Sequence, residues 1–403
     1  KKIAMKKKPY LALGLMSGTS MDGVDASIIS SDGVSEYTEI FNRYFEYSGV
    51  IYQNLSNLRD EITKGRKPNH NNVLLDSLFK EFKDLEKKIT LFHANIVNEI
   101  LKESGLSVDL IGFHGQTIFH NPLENNPIEN QSIQLGDGNL LSKLTNKKVI
   151  YNFRQNDIYN GGEGAPLTPI FHSLLAVNKL KIKKFPLMIL NIGGIANATT
   201  IQNHDANNEN RLLACDIGPG NCLIDHWIRI KSKKKYDENG MIAKSGKINK
   251  TILNKALNIW IKNLGDKNYG NNYMESRSHD VGDYDYSFAN NLSLEDGAAT
   301  ITEYSAEIYS HYINKIILNS NDYPSSIVVS GGGRKNQFLM KSFEKKINCP
   351  LVKIDDYGID GDFVESQAFA YLAIRSYLKL SISFPKTTGC TKPCTGGVLV
   401  KNF

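Results

Sequence analysis

One local pattern occurs twice in this chain, and the repetition limits the fold more than any other feature. Residues 11–29 (LALGLMSGTSMDGVDASII) run from an apolar stretch, 11–15, through a polar tip to a β-branched stretch, 24–29. Residues 187–215 do the same: an apolar run, 187–190, enters NIGGIANAT (191–199), a polar tip follows at 203–210, and 211–215 is apolar again. Two apolar runs joined by a tight polar segment form a β-hairpin. Helical patterns follow each hairpin, so the chain reads as a duplicated α/β unit, with chance similarity as the alternative. A length of 403 residues fits two domains, each large enough to bury a core.

The first tip carries Ser17, Gly18, Thr19, Ser20, Asp22 and Gly23. Glycines allow close backbone approach, hydroxyls add donors, and a carboxylate can face a cation through water, so the tip suits a phosphate chain. It is not a Walker A loop, since GK[ST] is missing and a strand, not a helix, follows. An ordinary hairpin explains the same letters.

Other strand-like runs also end in polar, glycine-bearing turns, where α/β proteins place ligand contacts. After 37–45, an alternating third strand, come helical patterns at 51–66 and 72–104. The short run 110–113 ends in His114-Gly115-Gln116-Thr117, where His114 reads equally as a satisfied core histidine. Residues 131–144 give a strand, a Gly-Asp-Gly turn and a helix, and 149–151 leads into a loop with Arg154 and Asp157. In the second half, 211–215 runs into Asp216-Ile217-Gly218-Pro219-Gly220-Asn221, and a helix follows from 222 to 230. The run 326–329 ends in Ser330-Gly331-Gly332-Gly333-Arg334-Lys335-Asn336, where three glycines let a flat ring or a phosphate lie on backbone N–H groups. A last helix, 362–378, has Glu365 in its first turn, where an acid also complements the helix dipole.

Charge and cysteine content exclude some classes. The net charge is +6, but 48 basic and 42 acidic residues are interspersed, and the dense clusters KKIAMKKK and 231–235 read as solvated ends rather than a nucleic-acid footprint. No apolar run reaches 18 residues, so no membrane span is expected, and the short run 11–15 makes no signal peptide. Five cysteines, with Cys390 and Cys394 as a lone C-x₃-C, fit a reducing cytoplasm and are too few for a zinc assignment.

Taken in order, SGTSMDGVD (17–25), GFHGQT (112–117), NFRxxD (152–157), GGEGAPL (161–167), NIGGIAN (191–197), DIGPGN (216–221), SGGGRKN (330–336) and DFVESQAFA (362–370) resemble the anhydro-N-acetylmuramic acid kinases. Eight ordered motifs covering about 11–400 are far more specific than any one glycine pattern. The resemblance implies two related actin-like (ribonuclease H-like) domains, each a mixed β-sheet flanked by helices, with an ATP cleft between them. The expected division is 1–147 plus about 379–403, and 148–378. It implies a cytoplasmic kinase, a homodimer, that uses ATP and Mg²⁺ to open the 1,6-anhydro bridge and phosphorylate O6, giving N-acetylmuramic acid 6-phosphate in cell-wall recycling.

By the same resemblance, Asp216 is the general base. Gly18, Thr19, Ser20, Met21, Asp22, Gly23, Val24 and Asp25 hold the ATP phosphates, with Gly193, Gly194 and Asn197 also at the nucleotide. Gly331, Gly332, Gly333 and Asn336 lie by the adenosine. His114, Gln116, Thr117, Arg154, Asn221 and Glu365 meet the sugar, and Asp22, Asp216 and Glu365 face the metal, directly or through water. Chemically, a strand-end carboxylate such as Asp216 suits proton abstraction from water, and Arg154 suits a bidentate pair with a lactyl carboxylate. Two departures stand out: NYMESRSHD (272–280) replaces a Lys-Ser-Thr-Gly-Arg-Glu run, and Cys390 stands where alanine is usual. The alternatives are a kinase for another 1,6-anhydrosugar such as levoglucosan, and a non-catalytic actin-like nucleotide binder.

Overall fold

A computed structural model describes residues 8–65, 74–121, 131–203, 211–266, 284–320, 324 and 326–403. The divergent segment 272–280 lies outside the described residues. The chain divides into two compact units: residues 1–178 with 363–385 and 390–403, and residues 179–362 with 386–389.

In the first unit, β1 (Tyr10–Ser17), β2 (Gly23–Ser31) and β3 (Tyr37–Glu46) form an antiparallel meander. On the other side of β1, β4 (Leu110–Asn121) runs parallel to it, and β6 (Lys148–Tyr151) runs parallel to β4. The short β5 (Gln131–Leu135) pairs with the far half of β4, and the strand Val398–Val400 covers the outer edge of β6. The second unit repeats the plan. There β7 (Leu187–Ile192), β8 (Ala196–Ile201) and β9 (Leu212–Gly218) form the meander, with β10 (Ile327–Ser330) and β11 (Leu351–Lys353) parallel beyond β7. The order β3-β2-β1-β4-β6 is matched by β9-β8-β7-β10-β11. The duplication expected from the letters is therefore a duplication of topology, the ribonuclease H-like order occurring twice.

That order also places the ligand edge of each unit. The first, third, fourth and fifth strands of each plan are parallel, so their C-terminal ends share one edge. The polar turns after β1, β6, β7, β9 and β10 all leave from such an edge.

Strand alternation puts a helix on each face of the first sheet. Leu13 and Leu15 point to one face and share a core with Leu85, Ile89, Val97 and Ile100 of the helix Leu74–Ser104. Gly14 and Met16 point to the other, where Met16 packs with Phe369 and Leu372 of the helix Val364–Tyr377. A β-carbon built at Gly14 would stand 1.9 Å from Ser366 O, and one at Gly112, its partner in register, 2.3 Å from Phe369 O. Two adjacent glycines thus bring helix backbone directly onto the sheet, which is why this helix groups with the first unit rather than with residues 179–362.

In the second unit the long helix Leu294–Ser320 is the main support, placing Ala298, Ile301, Tyr309 and Ile313 in one core with Ile192, Ile217 and Trp227. The Trp227 indole donates to Leu294 O at 2.9 Å and fills the space left by Gly297. Neither this helix nor Lys250–Asp266 was legible in the sequence, and a short helix, Gln155–Tyr159, occupies what reads as loop. Among the described residues no helix is long and apolar enough to cross a membrane.

Candidate active site

The turn between β1 and β2 is tied down by its carbonyls. Gly18 O accepts from Met21 N at 3.3 Å and from Gln116 Nε2 at 2.7 Å. Asp22 O accepts from Tyr47 N and from Tyr44 Oη, both at 2.9 Å. Ser20 Oγ donates to Asp22 Oδ1 at 2.6 Å. Met21 takes a positive φ of 57° and is buried, while Asp22 is exposed. A β-carbon at Gly18 would meet nothing within 4 Å, so this glycine borders open space, whereas Gly23 is closed in by Phe45 O at 2.3 Å. Val24 is buried inside β2, and Asp25 pairs in register with Met16.

A second cluster lies on β4 and after β6. The strand does not end at Phe113, as the sequence reading had it. Gly115, at φ +78°, forms a bulge between the pairs Leu15–Phe113 and Ser17–Gln116, and β4 continues to Asn121. His114, Gln116 and Thr117 are consequently strand residues, all buried. His114 Nδ1 is 2.7 Å from Gly115 O, so it carries the proton and donates. Its Nε2 is then an acceptor, and takes hydrogen bonds from Arg154 Nη2 at 2.9 Å and Nε at 3.3 Å. Burial, with Arg154 adding to it, holds this imidazole well below its ordinary pKa and neutral. Both ring nitrogens serve the protein, so His114 aims Arg154, whose Nη1 is further fixed by Gly164 O at 2.7 Å. Glu365 opens the helix Val364–Tyr377; burial raises its carboxyl above the usual range, with Arg154 opposing. Gln116 Nε2 donates to two carbonyls, Gly18 O and Thr117 O, which leaves Oε1 buried with no partner among the described residues. That oxygen is an acceptor lacking a donor.

In the second unit Asp216 lies near the end of β9, 8% exposed, in register with Asn197 of β8. A bulge between Ala196 and Asn197 re-aims this end of the ladder, and Asn197 Oδ1 is buried without a partner among the described residues. Burial and the neighbouring Asp216 charge push the Cys215 thiol up to about 12. The following turn is laced to the β7 turn through backbone: Asn221 N donates to Gly193 O at 2.7 Å and Cys222 N to Gly194 O at 3.1 Å. A β-carbon at Gly220 would lie 2.0 Å from Gly193 O, so this contact requires glycine. The hydroxyl of Tyr309 donates to Pro219 O at 3.0 Å and Gly220 O at 3.1 Å from beneath.

The β10 turn holds Gly331 at φ +79°, with a built β-carbon 2.4 Å from Asn191 Oδ1, and Gly333 against Ile192 at 2.2 Å. Of the three glycines only Gly332 is exposed, and it opens a 3-10 turn, Gly332–Lys335, that precedes the helix Gln337–Glu344. Asn336 caps that helix, accepting from Leu339 N at 3.0 Å. The buried Arg334 clamps the turn: it forks onto Asp355 at 2.6 and 2.8 Å, bonds Asp362 at 2.6 Å, and donates to Gly331 O at 2.9 Å. Sequence reasoning does not reach Tyr44, Tyr47, Tyr309 or Asp355, since isolated tyrosines and aspartates carry no local signal.

Asp157, Cys390 and Cys394 also converge, with possible ligand atoms all within 4.8 Å of one another. The carboxylate, however, accepts from Ser383 Oγ at 2.5 Å and Gly164 N at 2.7 Å. Its visible role is to hold the loop that carries Arg154.

The profile of the family described as anhydro-N-acetylmuramic acid kinase matches residues 10–402. An anhydro-N-acetylmuramic acid kinase of Pelagibacter ubique is 52% identical over 400 residues, covering 98% of this chain and 100% of the relative. That of Zymomonas mobilis is 36% identical over 390 residues, covering 96% and 98%. Among solved structures, Acidaminococcus fermentans (R)-2-hydroxyglutaryl-CoA dehydratase component A aligns with a TM-score of 0.42 and 11% identity, covering 92% of this chain and 99% of that one.

Proposed function

The chain belongs to the anhydro-N-acetylmuramic acid kinase family, and from that premise we propose how its residues divide the reaction. The enzyme uses ATP to open the 1,6-anhydro bridge and phosphorylate O6, a step of peptidoglycan recycling. Water attacks the anomeric carbon, the bond from that carbon to O6 breaks, and O6 takes the γ-phosphoryl as ADP leaves. Asp216 accepts the proton from the attacking water. Its place at a strand end, beside a turn fixed by Gly193, Gly220 and Tyr309, supports this role, because a general base must be held still.

The β1–β2 turn, residues 18–25, holds the phosphates, with Gly193, Gly194 and Asn197 contributing from the second unit. Gly331, Gly332 and Gly333 form the adenosine turn; Asn336 supports it as a helix cap rather than by contact. Gln116, Thr117, Arg154, Asn221 and Glu365 receive the sugar, and His114 acts through Arg154. The unpaired Oε1 of Gln116 calls for a hydroxyl or N–H donor, which the sugar has, and the aimed guanidinium calls for a carboxylate, which the lactyl group of muramic acid supplies. Levoglucosan offers no carboxylate. Asp22, Asp216 and Glu365 would each offer Mg²⁺ the carboxylate oxygens it takes, and a divalent cation would relieve the burial penalty on the Glu365 charge. When bound, the ion neutralises charge on the transferring phosphoryl. A cytoplasmic homodimer completes the reading, the dimer being open to light scattering.

The observation that carries this assignment is the matched pair of sheet edges, each bearing the turns named here. Its test is Asp216→Asn. Turnover, followed by coupled ADP release with anhydro-N-acetylmuramic acid and levoglucosan side by side, falls by about two to four orders of magnitude, as expected for a lost base. Calorimetric ATP affinity stays near wild type. A variant that retains the wild-type rate refutes the assignment.

A further inference from the structure

Behind the β1–β2 turn runs a buried chain of hydrogen bonds whose direction is fixed by one carbonyl. His93, in the helix Leu74–Ser104, has Nδ1 2.8 Å from Ile89 O. A carbonyl only accepts, so Nδ1 carries the proton and Nε2 is a bare acceptor. Ser17 Oγ is 3.2 Å from that Nε2 and therefore donates to it. A serine has one proton, so the Tyr47 hydroxyl, 3.2 Å from the same Oγ, donates to Ser17. Ser17 and His93 are fully buried and Tyr47 nearly so. Burial keeps the imidazole in the state the chain needs: it pushes His93 down to about 4, hence neutral.

Tyr47 also reaches the other end of the turn, its backbone N–H donating to Asp22 O at 2.9 Å. One residue therefore fastens Ser17, where β1 ends, and Asp22, just before β2 begins. The purpose follows from the chemistry of an anion site. Phosphate oxygens accept hydrogen bonds, so a phosphate turn must keep its carbonyl oxygens directed into the protein. Here Gly18 O is drawn to Gln116, and Asp22 O to Tyr44 and Tyr47.

We propose that Tyr47 and His93 are positioning residues for phosphoryl transfer, acting through Ser17 to hold the β1–β2 turn in its phosphate-binding shape. The proposal rests on reading that turn as the phosphate site, and the experiment separates the two. Steady-state constants for ATP and for the anhydrosugar are measured for Tyr47→Phe, His93→Leu, His93→Gln, Ser17→Ala and Gly18→Val, with melting temperatures. Loss of one buried hydrogen bond corresponds to about a three- to tenfold effect. Tyr47→Phe and His93→Leu should raise KM for ATP by about that factor and leave KM for the sugar within about twofold. His93→Gln, which places an amide oxygen near the Nε2 position, should restore most of the loss. In a Ser17→Ala background, His93→Leu should add little. If Gly18→Val raises KM for ATP but Tyr47→Phe and His93→Leu leave it unchanged, the positioning role is overturned and these groups merely fill the core. If Gly18→Val leaves it unchanged too, the phosphate reading of the turn falls first. Tyr47→Phe, which deletes one oxygen, decides the matter should His93→Leu fail to fold.

Discussion

The substitution Gly14→Ala tests the link from one strand position to the helix Val364–Tyr377. A β-carbon there would stand 1.9 Å from Ser366 O and 2.6 Å from Ala370 N, whereas ordinary contact begins near 3.4 Å. Both neighbours are backbone atoms, so no rotamer change relieves the clash, and helix and sheet must separate by about 1.5 Å. Overpacking that side chains can absorb costs about 1–3 kcal/mol, and a backbone clash belongs at the top of that range, about 3 kcal/mol. For a unit of this size each kcal/mol lowers the melting temperature by about 2–4 °C, so a fall of about 6–12 °C is expected. Calorimetry is the right assay because two units need not melt together. Turnover should fall as well, since Glu365 immediately precedes Ser366 and moves with it. The control is Gly18→Ala, where nothing lies within 4 Å: its melting temperature stays at wild type while KM for ATP rises. A Gly14→Ala enzyme melting within about 2 °C of wild type would refute the claim that glycine sets this spacing.

Glu365→Gln gives a pH-dependent result. The carboxyl pKa is raised by burial, so its contribution to stability is present below the ordinary value of 4.5 and is lost as pH rises through the folded value. The neutral amide should therefore melt above wild type at pH 8, gain nothing at pH 4, and turn over poorly; an equal difference at both pH values contradicts the burial argument. Arg334→Lys keeps the charge and loses the fork onto Asp355. Because Asp355 and Asp362 are partly exposed and can rehydrate, the loss is about 1–2 kcal/mol by urea titration, with a higher KM for ATP. Tyr309→Phe frees Pro219 O and Gly220 O, and should lower kcat several-fold with KM for ATP nearly unchanged; a raised KM alone would place Tyr309 with the nucleotide instead.

The first hairpin and the strand-end turns were legible because their causes are local. Alternation along β1 sets Leu13 and Leu15 against one helix and leaves Gly14 for another, and a polar turn after an apolar run marks a strand end. Gly115 defeats that rule. A glycine before polar letters reads as a turn, but here it makes a bulge, and the strand continues because β5 supplies a ladder for it. The helix Leu294–Ser320 escaped for a different reason. Its buried residues include Thr300, Thr302, Ser305 and Ser310, so hydropathy gives a weak stripe although the helix is central to its core. His114 shows what sequence withholds even at a recognised motif: only the positions of Gly115 O and Arg154 reveal that both ring nitrogens are used internally.

The two edges share a topology and differ in how their turns are held, and that difference fixes how each fails. In the first unit each tied turn carbonyl takes one side-chain donor, Gln116 or Tyr44, and one backbone donor, while the Tyr47 hydroxyl holds Ser17 Oγ. Removing one leaves the others in place, so defects are graded, about one hydrogen bond at a time. In the second unit the β7 and β9 turns bond backbone to backbone, and Gly220 is a point where no side chain fits, its β-carbon falling 2.0 Å from Gly193 O. Alanine at Gly220 must therefore push the β9 turn off the β7 turn, displacing the strand end that carries Asp216 along with it. In the proposed role of a phosphate turn, the first edge tolerates graded tuning because a charged ligand is held by several donors at once. A single general base works only at hydrogen-bond distance from one proton, and a backbone lattice that admits no substitution is the support that suits it.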